Sequence, residues 1–205
     1  MNAIPRRKNH MDEGYIKFNC NWIKSDPFPS SFIAEINTWR DILYSLGLIG
    51  KDANGFGFGN ISIRLKFRTF IITGSATGEY EKLNENHYVC VTEYNLLNNS
   101  LTCKGPIRAS SESLSHAAIY ECSQETNAVI HVHNGSLWDT LIHKIPTTRD
   151  HILYGTPEMA DEIKRLFSET TLAVDKILVM GGHKEGIIAF GSSLEEAGEI
   201  LLNKL

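Results

Sequence analysis

Residues 109–134 read ASSESLSHAAIYECSQETNAVIHVHN and contain both kinds of regular pattern from which the rest of the fold is predicted. The first half predicts a helix through about Cys122, with Ser110 or Ser111 as its N-cap and Glu112 in its first turn. Residues 128–133 predict a strand that ends His-Val-His.

The two histidines of this strand are candidate metal ligands. Residues i and i+2 of a strand point to the same face, so His131 and His133 are expected to project side by side. Two neutral imidazoles at that separation can chelate one small divalent ion. Taken alone, the motif is equally compatible with two ordinary polar residues at a strand end. Glu112 and His116 lie four residues apart, on one face of the predicted helix.

Predicted strands in the first half of the chain are near neighbours in sequence, and helices interrupt the second half. This pattern places the chain in the α/β class with a mixed or mainly antiparallel sheet. Residues 1–28 are polar and irregular and are interpreted as an N-terminal arm, while residues 29–205 form a single domain. Within the arm, residues 15–22 alternate enough to form a short strand or a docking segment. The predicted helices are 31–46, 110–122, 137–142, 157–167 and 194–202, and the other predicted strands are 61–65, 69–73, 87–92, 176–180 and 187–190.

Composition narrows the class of protein. The 205 residues are 42% hydrophobic and carry a formal charge of −4, with no Lys/Arg-rich stripe of the kind that binds nucleic acid. No apolar run approaches the roughly 18 residues of a membrane span, and the N-terminus lacks the apolar region of a secretory signal. Four cysteines without CxxC spacing are typical of free thiols. We therefore expect a cytoplasmic globular protein without a membrane or nucleic-acid partner.

Three stretches rich in small residues could bind an anion if the fold brings them together. They are Gly59-Asn60, Thr73-Gly74-Ser75 and Ser110-Ser111. Each offers backbone N–H groups, hydroxyls or an amide, and the last lies at a predicted helix N-terminus, where the helix dipole favours anions. Each taken singly is equally typical of a turn or a helix cap.

The sequence resembles the class II aldolase/adducin family from about Trp39 to Leu202. The segments that carry the resemblance are GNISIR (59–64), FIITGSATGEYEKL (70–83), SSESLSHAAIY (110–120), NAVIHVHN (127–134) and GIIAFGSSLEEA (186–197). The resemblance implies a three-layer α/β/α sandwich around a central, mainly antiparallel sheet. It also implies a homotetramer and a divalent ion, Zn²⁺ or another such as Mn²⁺, Fe²⁺ or Co²⁺, held by three histidines.

The resemblance also assigns roles to individual residues. His131 and His133 match the first two metal ligands, and Glu112 matches the catalytic acid/base. The positions that match phosphate-binding residues of the sugar-phosphate aldolases are Gly59, Asn60, Thr73, Gly74, Ser110 and Ser111.

The third ligand is where the chain departs from the family pattern. Relatives commonly place this histidine immediately before the glycine of a strand such as GIIAFG, where this chain has Glu185. His183 lies two residues earlier, and an extended segment would keep it on the same face. We predict His183 as the third ligand, with Glu185 as an alternative oxygen ligand. The stretch after the HxH strand is also short, so the resemblance transfers no catalytic tyrosine.

The predicted function is that of a divalent-metal-dependent lyase of aldolase type. Its substrate would be a small hydroxy-carbonyl compound or sugar, with or without a phosphate, and the reaction would pass through a metal-stabilised enediolate. A sugar-phosphate epimerase or dehydratase is an alternative that uses the same chemistry. A non-catalytic, adducin-like interaction protein is an alternative of another class.

Overall fold

A computed structural model of the chain describes residues 15–205, so the first 14 residues of the predicted arm lie outside the described part. The strands in the described part are β1 Asn19–Lys24, β2 Gly50–Lys51, β3 Gly57–Phe58, β4 Asn60–Lys66, β5 Thr69–Thr73, β6 Tyr88–Asn95, β7 Ser100–Gly105, β8 Ala128–His133, β9 Ile177–Val179 and β10 Gly186–Gly191. The helices are α1 Ala34–Ser45, α2 Ser113–Cys122, α3 Gly135–Leu141, α4 Pro157–Glu169, α5 Leu172–Asp175 and α6 Leu194–Leu202.

Eight of these strands form one sheet in the order β1-β7-β6-β5-β4-β8-β10-β9. Every neighbouring pair in it is antiparallel except β1 with β7. Strands β2 and β3 form a separate small ribbon. The prediction of a mainly antiparallel central sheet is therefore confirmed.

Helices cover both faces of this sheet and enclose two hydrophobic cores. Residues of α2 and α4, among them Leu114 and Ile163, pack into one core with the central strands. Residues of α1 and α6, among them Leu43 and Leu201, pack into the other. The strands β8 and β10 are buried along their whole length because helices lie on both sides of them. This arrangement is the predicted α/β/α sandwich.

Helix α1 buries one arginine inside its apolar face. The side chain of Arg40 is 1% exposed, and its guanidinium donates hydrogen bonds to the carbonyl oxygens of Thr77, Gly78, Tyr80 and Glu81. The five N–H donors of a planar guanidinium suit a cluster of carbonyl groups that converge on one side chain. Arg40 therefore fixes the loop 77–81 against α1.

Three local predictions need correction or extension. Helix α2 begins at Ser113 with Glu112 at the N-cap position, whereas Ser110 or Ser111 was expected there. Ser110 instead accepts a hydrogen bond at Oγ from the N–H of Glu112, which shapes the turn before the helix. Strand β7 is not among the predicted strands. Part of the predicted arm, β1, is an edge strand of the main sheet.

Within residues 15–205, no helix combines the length and the apolar character that crossing a bilayer requires.

Candidate metal centre

Strand β8 positions the first two candidate ligands. It lies between β4 and β10, with His131 opposite Asn60 on one side and opposite Ile188 on the other. His133, two residues later, is paired with Gly186 at the start of β10. The alternation of a strand puts both imidazoles on the same face. Val132 consequently points into the opposite core.

The third imidazole comes from the turn that leads into β10. The N–H of His183 bonds the carbonyl of Met180, and the N–H of Gly186 bonds the carbonyl of His183. Glu185 closes this turn with a left-handed backbone (φ 70°). The segment is therefore a tight turn and not the extended stretch considered from the sequence. The turn reverses the chain, so His183 reaches the β8 histidines.

The three side-chain nitrogens converge on one point. Nε2 of His133 lies 3.2 Å from Nε2 of His131 and 3.1 Å from Nε2 of His183. Within the described residues, the potential metal-binding group at this place consists of these three histidines and leaves Glu185 outside it. A tetrahedral zinc with Zn–N distances of about 2.0–2.1 Å separates its ligand nitrogens by about 3.3–3.4 Å. The cluster has the dimensions that such an ion needs.

Burial keeps these imidazoles in the form that binds metals. The side chains are 0–7% exposed. Desolvation lowers the pKa of His131 to about 4, and it holds the pKa of His133 and of His183 well below the ordinary histidine value. Nδ1 of His131 lies 3.2 Å from the carbonyl oxygen of Ile187 and donates to it, so its Nε2 carries the lone pair. Neutral nitrogens that point at one another match the donor set of a divalent cation.

Two aromatic rings border the cluster, and no motif in the sequence predicted either contact. Phe58, in the glycine-rich turn before β4, stacks on His133 with ring centroids 5.1 Å apart. Tyr154 packs against His183 with centroids 4.6 Å apart. These contacts limit the rotation of the imidazoles and keep the centre in an apolar surround.

Gly186 is a further residue that the motifs did not single out. A Cβ built on Gly186 would lie 2.7 Å from Cδ2 of His183 and 3.3 Å from Cε1 of His131. Such distances are shorter than ordinary carbon–carbon contacts. Two imidazoles can therefore approach each other here because this position lacks a side chain.

Glu112 is the acidic side chain beside the histidines. It is 3% exposed, and its Oε1 lies 3.8 Å from Nε2 of His183. Because burial keeps His183 neutral, this contact is not an ion pair. The other carboxylate oxygen accepts a hydrogen bond from the hydroxyl of Ser115, at 3.1 Å. The carboxylate is thus held at the N-terminus of α2, facing the cluster.

The six predicted phosphate-binding residues lie at one end of the sheet, next to the histidines. Extending the β4–β5 pairing beyond Ser62–Ile72 by two residues brings Asn60 opposite Gly74. Gly74 is in turn bridged to Ala109, which precedes Ser110 and Ser111. One row of backbone thus runs from the HxH strand to the start of α2. The phosphate-binding role of these residues remains a prediction.

His116 is fully buried in the protein interior. Its Nδ1 lies 2.7 Å from the hydroxyl of Ser62, which also contacts the Tyr120 hydroxyl at 2.8 Å. Burial holds the pKa of His116 well below its ordinary value. Among the residues that the structure describes, its Nε2 has no hydrogen-bond partner. His116 therefore belongs to the packing behind the centre, not to the cluster itself.

Known proteins with the same fold are distant in sequence. No curated protein sequence matches the chain. YgbL from Escherichia coli, described as a candidate aldolase, epimerase or decarboxylase, superposes with a TM-score of 0.64 at 15% identity, covering 85% of this chain and 84% of that one. An L-fuculose 1-phosphate aldolase gives a TM-score of 0.64 at 19% identity, with 86% and 82% covered.

A sugar-phosphate aldolase from Thermotoga maritima gives a TM-score of 0.61 at 16% identity, covering 85% of this chain and 90% of that one. At these identities the structural likeness shows a shared fold. The sequence profile of the class II aldolase and adducin N-terminal domain matches residues 44–202, which is most of the chain. The protein therefore belongs to the class II aldolase and adducin N-terminal domain family.

Proposed function

We propose that this protein is a divalent-metal-dependent lyase of aldolase type acting on a small hydroxy-carbonyl compound or sugar. The observation that carries the proposal is the convergence of three buried, neutral imidazoles beside one carboxylate. His131, His133 and His183 would hold the ion. When bound, a divalent ion supplies a Lewis acid that stabilises negative charge developing next to a carbonyl group.

Glu112 would transfer the proton in this reaction. Its carboxylate lies beside the cluster and is oriented by Ser115, so it can take a proton from a hydroxyl or carbon of the substrate and return it later. The row of backbone that begins at Asn60 and passes through Gly74 and Ala109 to Ser110 and Ser111 would bind the anionic end of a phosphorylated substrate. The binding groups would be N–H groups and hydroxyls. In this arrangement the anionic end of the substrate binds on one side of the centre, and Glu112 transfers the proton on the other.

An epimerase or dehydratase is the second candidate, because the same metal site and carboxylate serve those reactions. The family contains non-catalytic proteins too, but the assembled histidine cluster does not favour that alternative. We also propose that the protein works in the cytoplasm, as its composition indicates, and that it forms a homotetramer, as the family resemblance implies.

Metal content is the first test. Elemental mass spectrometry of the purified protein should find about one divalent ion per chain, and His183→Ala should lose it. Glu185→Ala is the matched control two residues away and should retain the ion. If the wild-type protein contains no metal even after incubation with zinc, the proposal is overturned. If Glu185→Ala loses the ion and His183→Ala retains it, Glu185 is the third ligand.

A panel of phosphorylated and free ketoses then distinguishes the reactions, with cleavage, epimerisation and loss of water scored separately. Glu112→Gln should lower turnover about 10²- to 10⁴-fold, because the amide cannot accept the proton. Its metal content should stay at the wild-type level. Full activity in Glu112→Gln would remove this residue from the mechanism.

A further inference from the structure

Two cysteines lie together on neighbouring strands, away from the histidine cluster. The Sγ atoms of Cys20 on β1 and Cys103 on β7 are 3.6 Å apart. In the parallel pairing of these strands Cys20 is opposite Leu101, and Trp22 is opposite Cys103. The two cysteines are therefore diagonal neighbours on one face of the sheet. Both are free thiols at this distance, since a disulfide brings sulfur atoms to about 2.05 Å.

The surroundings make the two thiols unequal. Cys103 is fully buried, whereas Cys20 is half-buried and lines a cavity of about 830 Å³ over the outer strands of the sheet. A hydrogen bond from Cys103 lowers the pKa of Cys20 to about 7, and the charge of Arg108 and the N–H of Ala109 act in the same direction, against burial. Hydrogen bonding to Cys20 and burial raise the pKa of Cys103. Because Cys20 faces the cavity and Cys103 is enclosed, a dissolved oxidant reaches the Cys20 sulfur first.

We propose that Cys20 and Cys103 are a redox-reactive dithiol that hydroperoxides convert into a reversible disulfide between β1 and β7. The Cys20 thiolate attacks a peroxide oxygen and becomes a sulfenic acid, while the O–O bond breaks and the other oxygen leaves as hydroxide or alkoxide. The Cys103 sulfur then attacks the Cys20 sulfur. The S–S bond forms, the S–O bond breaks, and water leaves with the Cys103 proton.

The bond would fasten the N-terminal strand to the rest of the sheet. Lys17, just before β1, places its ammonium 3.8 Å from the centre of the Tyr154 ring, and that ring packs on His183. The disulfide would therefore fix a segment that contacts the candidate metal centre. Because the cysteines are diagonal neighbours, we expect a strained bond that mild thiol reagents reduce. This proposal is independent of the enzymatic function.

The test uses the full-length, reduced protein with hydrogen peroxide at pH 7. Wild type should lose the mass of two hydrogen atoms, and peptide mapping without reductant should find Cys20 joined to Cys103. Dithiothreitol should reverse the change. Before oxidation, iodoacetamide should alkylate Cys20 on the order of 100-fold faster than Cys122, whose pKa burial raises to about 11.

Cys122→Ser is the matched control and should form the disulfide as wild type does. Cys103→Ser should not form it, and its Cys20 sulfenic acid should be trapped by dimedone. If a variant fails to fold, the presence or absence of the Cys20–Cys103 disulfide in oxidised wild-type protein still tests the proposal. Folded wild-type protein that forms no Cys20–Cys103 link, or that is modified first at Cys122, would overturn the proposal.

Discussion

Gly186 determines how closely the imidazoles of His131 and His183 approach each other. In Gly186→Ala the new methyl group would meet both rings and the His183 carbonyl, so the rings or the turn must move. We expect metal affinity to fall about 10- to 100-fold, as for other changes that disturb ligand orientation. Overpacking should also lower the free energy of unfolding by about 1–3 kcal/mol. Competition with a chromogenic chelator measures the affinity.

Gly135→Ala is the matched control for this prediction. The atoms nearest to a Cβ at Gly135 belong to the flexible side chain of Glu185, at 3.4 Å or more. Metal affinity should therefore remain within experimental error of wild type. Equal affinities in the Gly186 and Gly135 variants would show that close approach of the rings is unimportant for binding.

The buried histidines predict how the metal-free protein responds to acid. Their pKa values are lower in the folded chain than in the unfolded one, so between pH 6.5 and 5 the unfolded state binds more protons. The buried neutral histidines make their full contribution to stability above pH 6.5, where they are neutral in both the folded and the unfolded state. That contribution is lost as the pH falls toward their pKa values in the folded state. Each histidine contributes up to about 1.4 kcal/mol per pH unit.

Urea unfolding of chelator-treated protein at pH 5.0, 5.5, 6.0 and 6.5 measures this slope. His131→Asn should reduce this slope by up to about 1.4 kcal/mol per pH unit, which corresponds to one proton. His143→Asn, at an exposed position with a left-handed backbone that asparagine tolerates, should leave it unchanged. A flat profile over this range would contradict the prediction.

At the scale of elements, helix α1 is joined to the loop behind the candidate centre by Arg40. Arg40→Met keeps a long apolar chain but removes the donor that four carbonyl groups share, two of them in the buried residues Thr77 and Gly78. We expect a loss of about 2–4 kcal/mol in the free energy of unfolding. Lys82→Met removes the nearby exposed ion pair with Asp41 and should cost about 0–1 kcal/mol. Chemical denaturation that finds similar losses for both variants would refute this assignment.

At the scale of the whole molecule, the sheet collects residues from distant parts of the chain at one end. Strands β4, β5, β8 and β10 contribute adjacent positions there, and the turn before α2 adds Glu112. The centre therefore depends on the pairing of the entire sheet. Any change that shifts the register of β8 by one residue would turn both HxH histidines to the opposite face.

The homotetramer is the prediction that concerns the assembly. Light scattering of the purified protein should give about four times the 23.0 kDa mass of one chain. The value should not depend on protein concentration in the micromolar range if the interfaces are of the obligate kind. A mass equal to that of a single chain would disprove the assembly.

Local patterns predicted most elements because they depend on spacing within one segment. The strand 128–133, the strand 69–73 and the helix 194–202 agree with the structure to the residue. The alternation of a strand alone sufficed to place His131 and His133 side by side. Strand β7 was missed because its polar sequence becomes a strand only through its neighbours β1 and β6.

Short-range patterns and recurring motifs were sufficient to predict the α/β class, the family resemblance and the candidate ligands. The packing of helices and strands was needed to establish that His183 reaches the cluster through a turn, that Glu185 stays outside it, and that β1 completes the sheet. The same packing was needed to establish that Phe58 and Tyr154 border the imidazoles. Those contacts join residues far apart in the chain, and their formation depends on how the helices and strands pack, which no local pattern encodes.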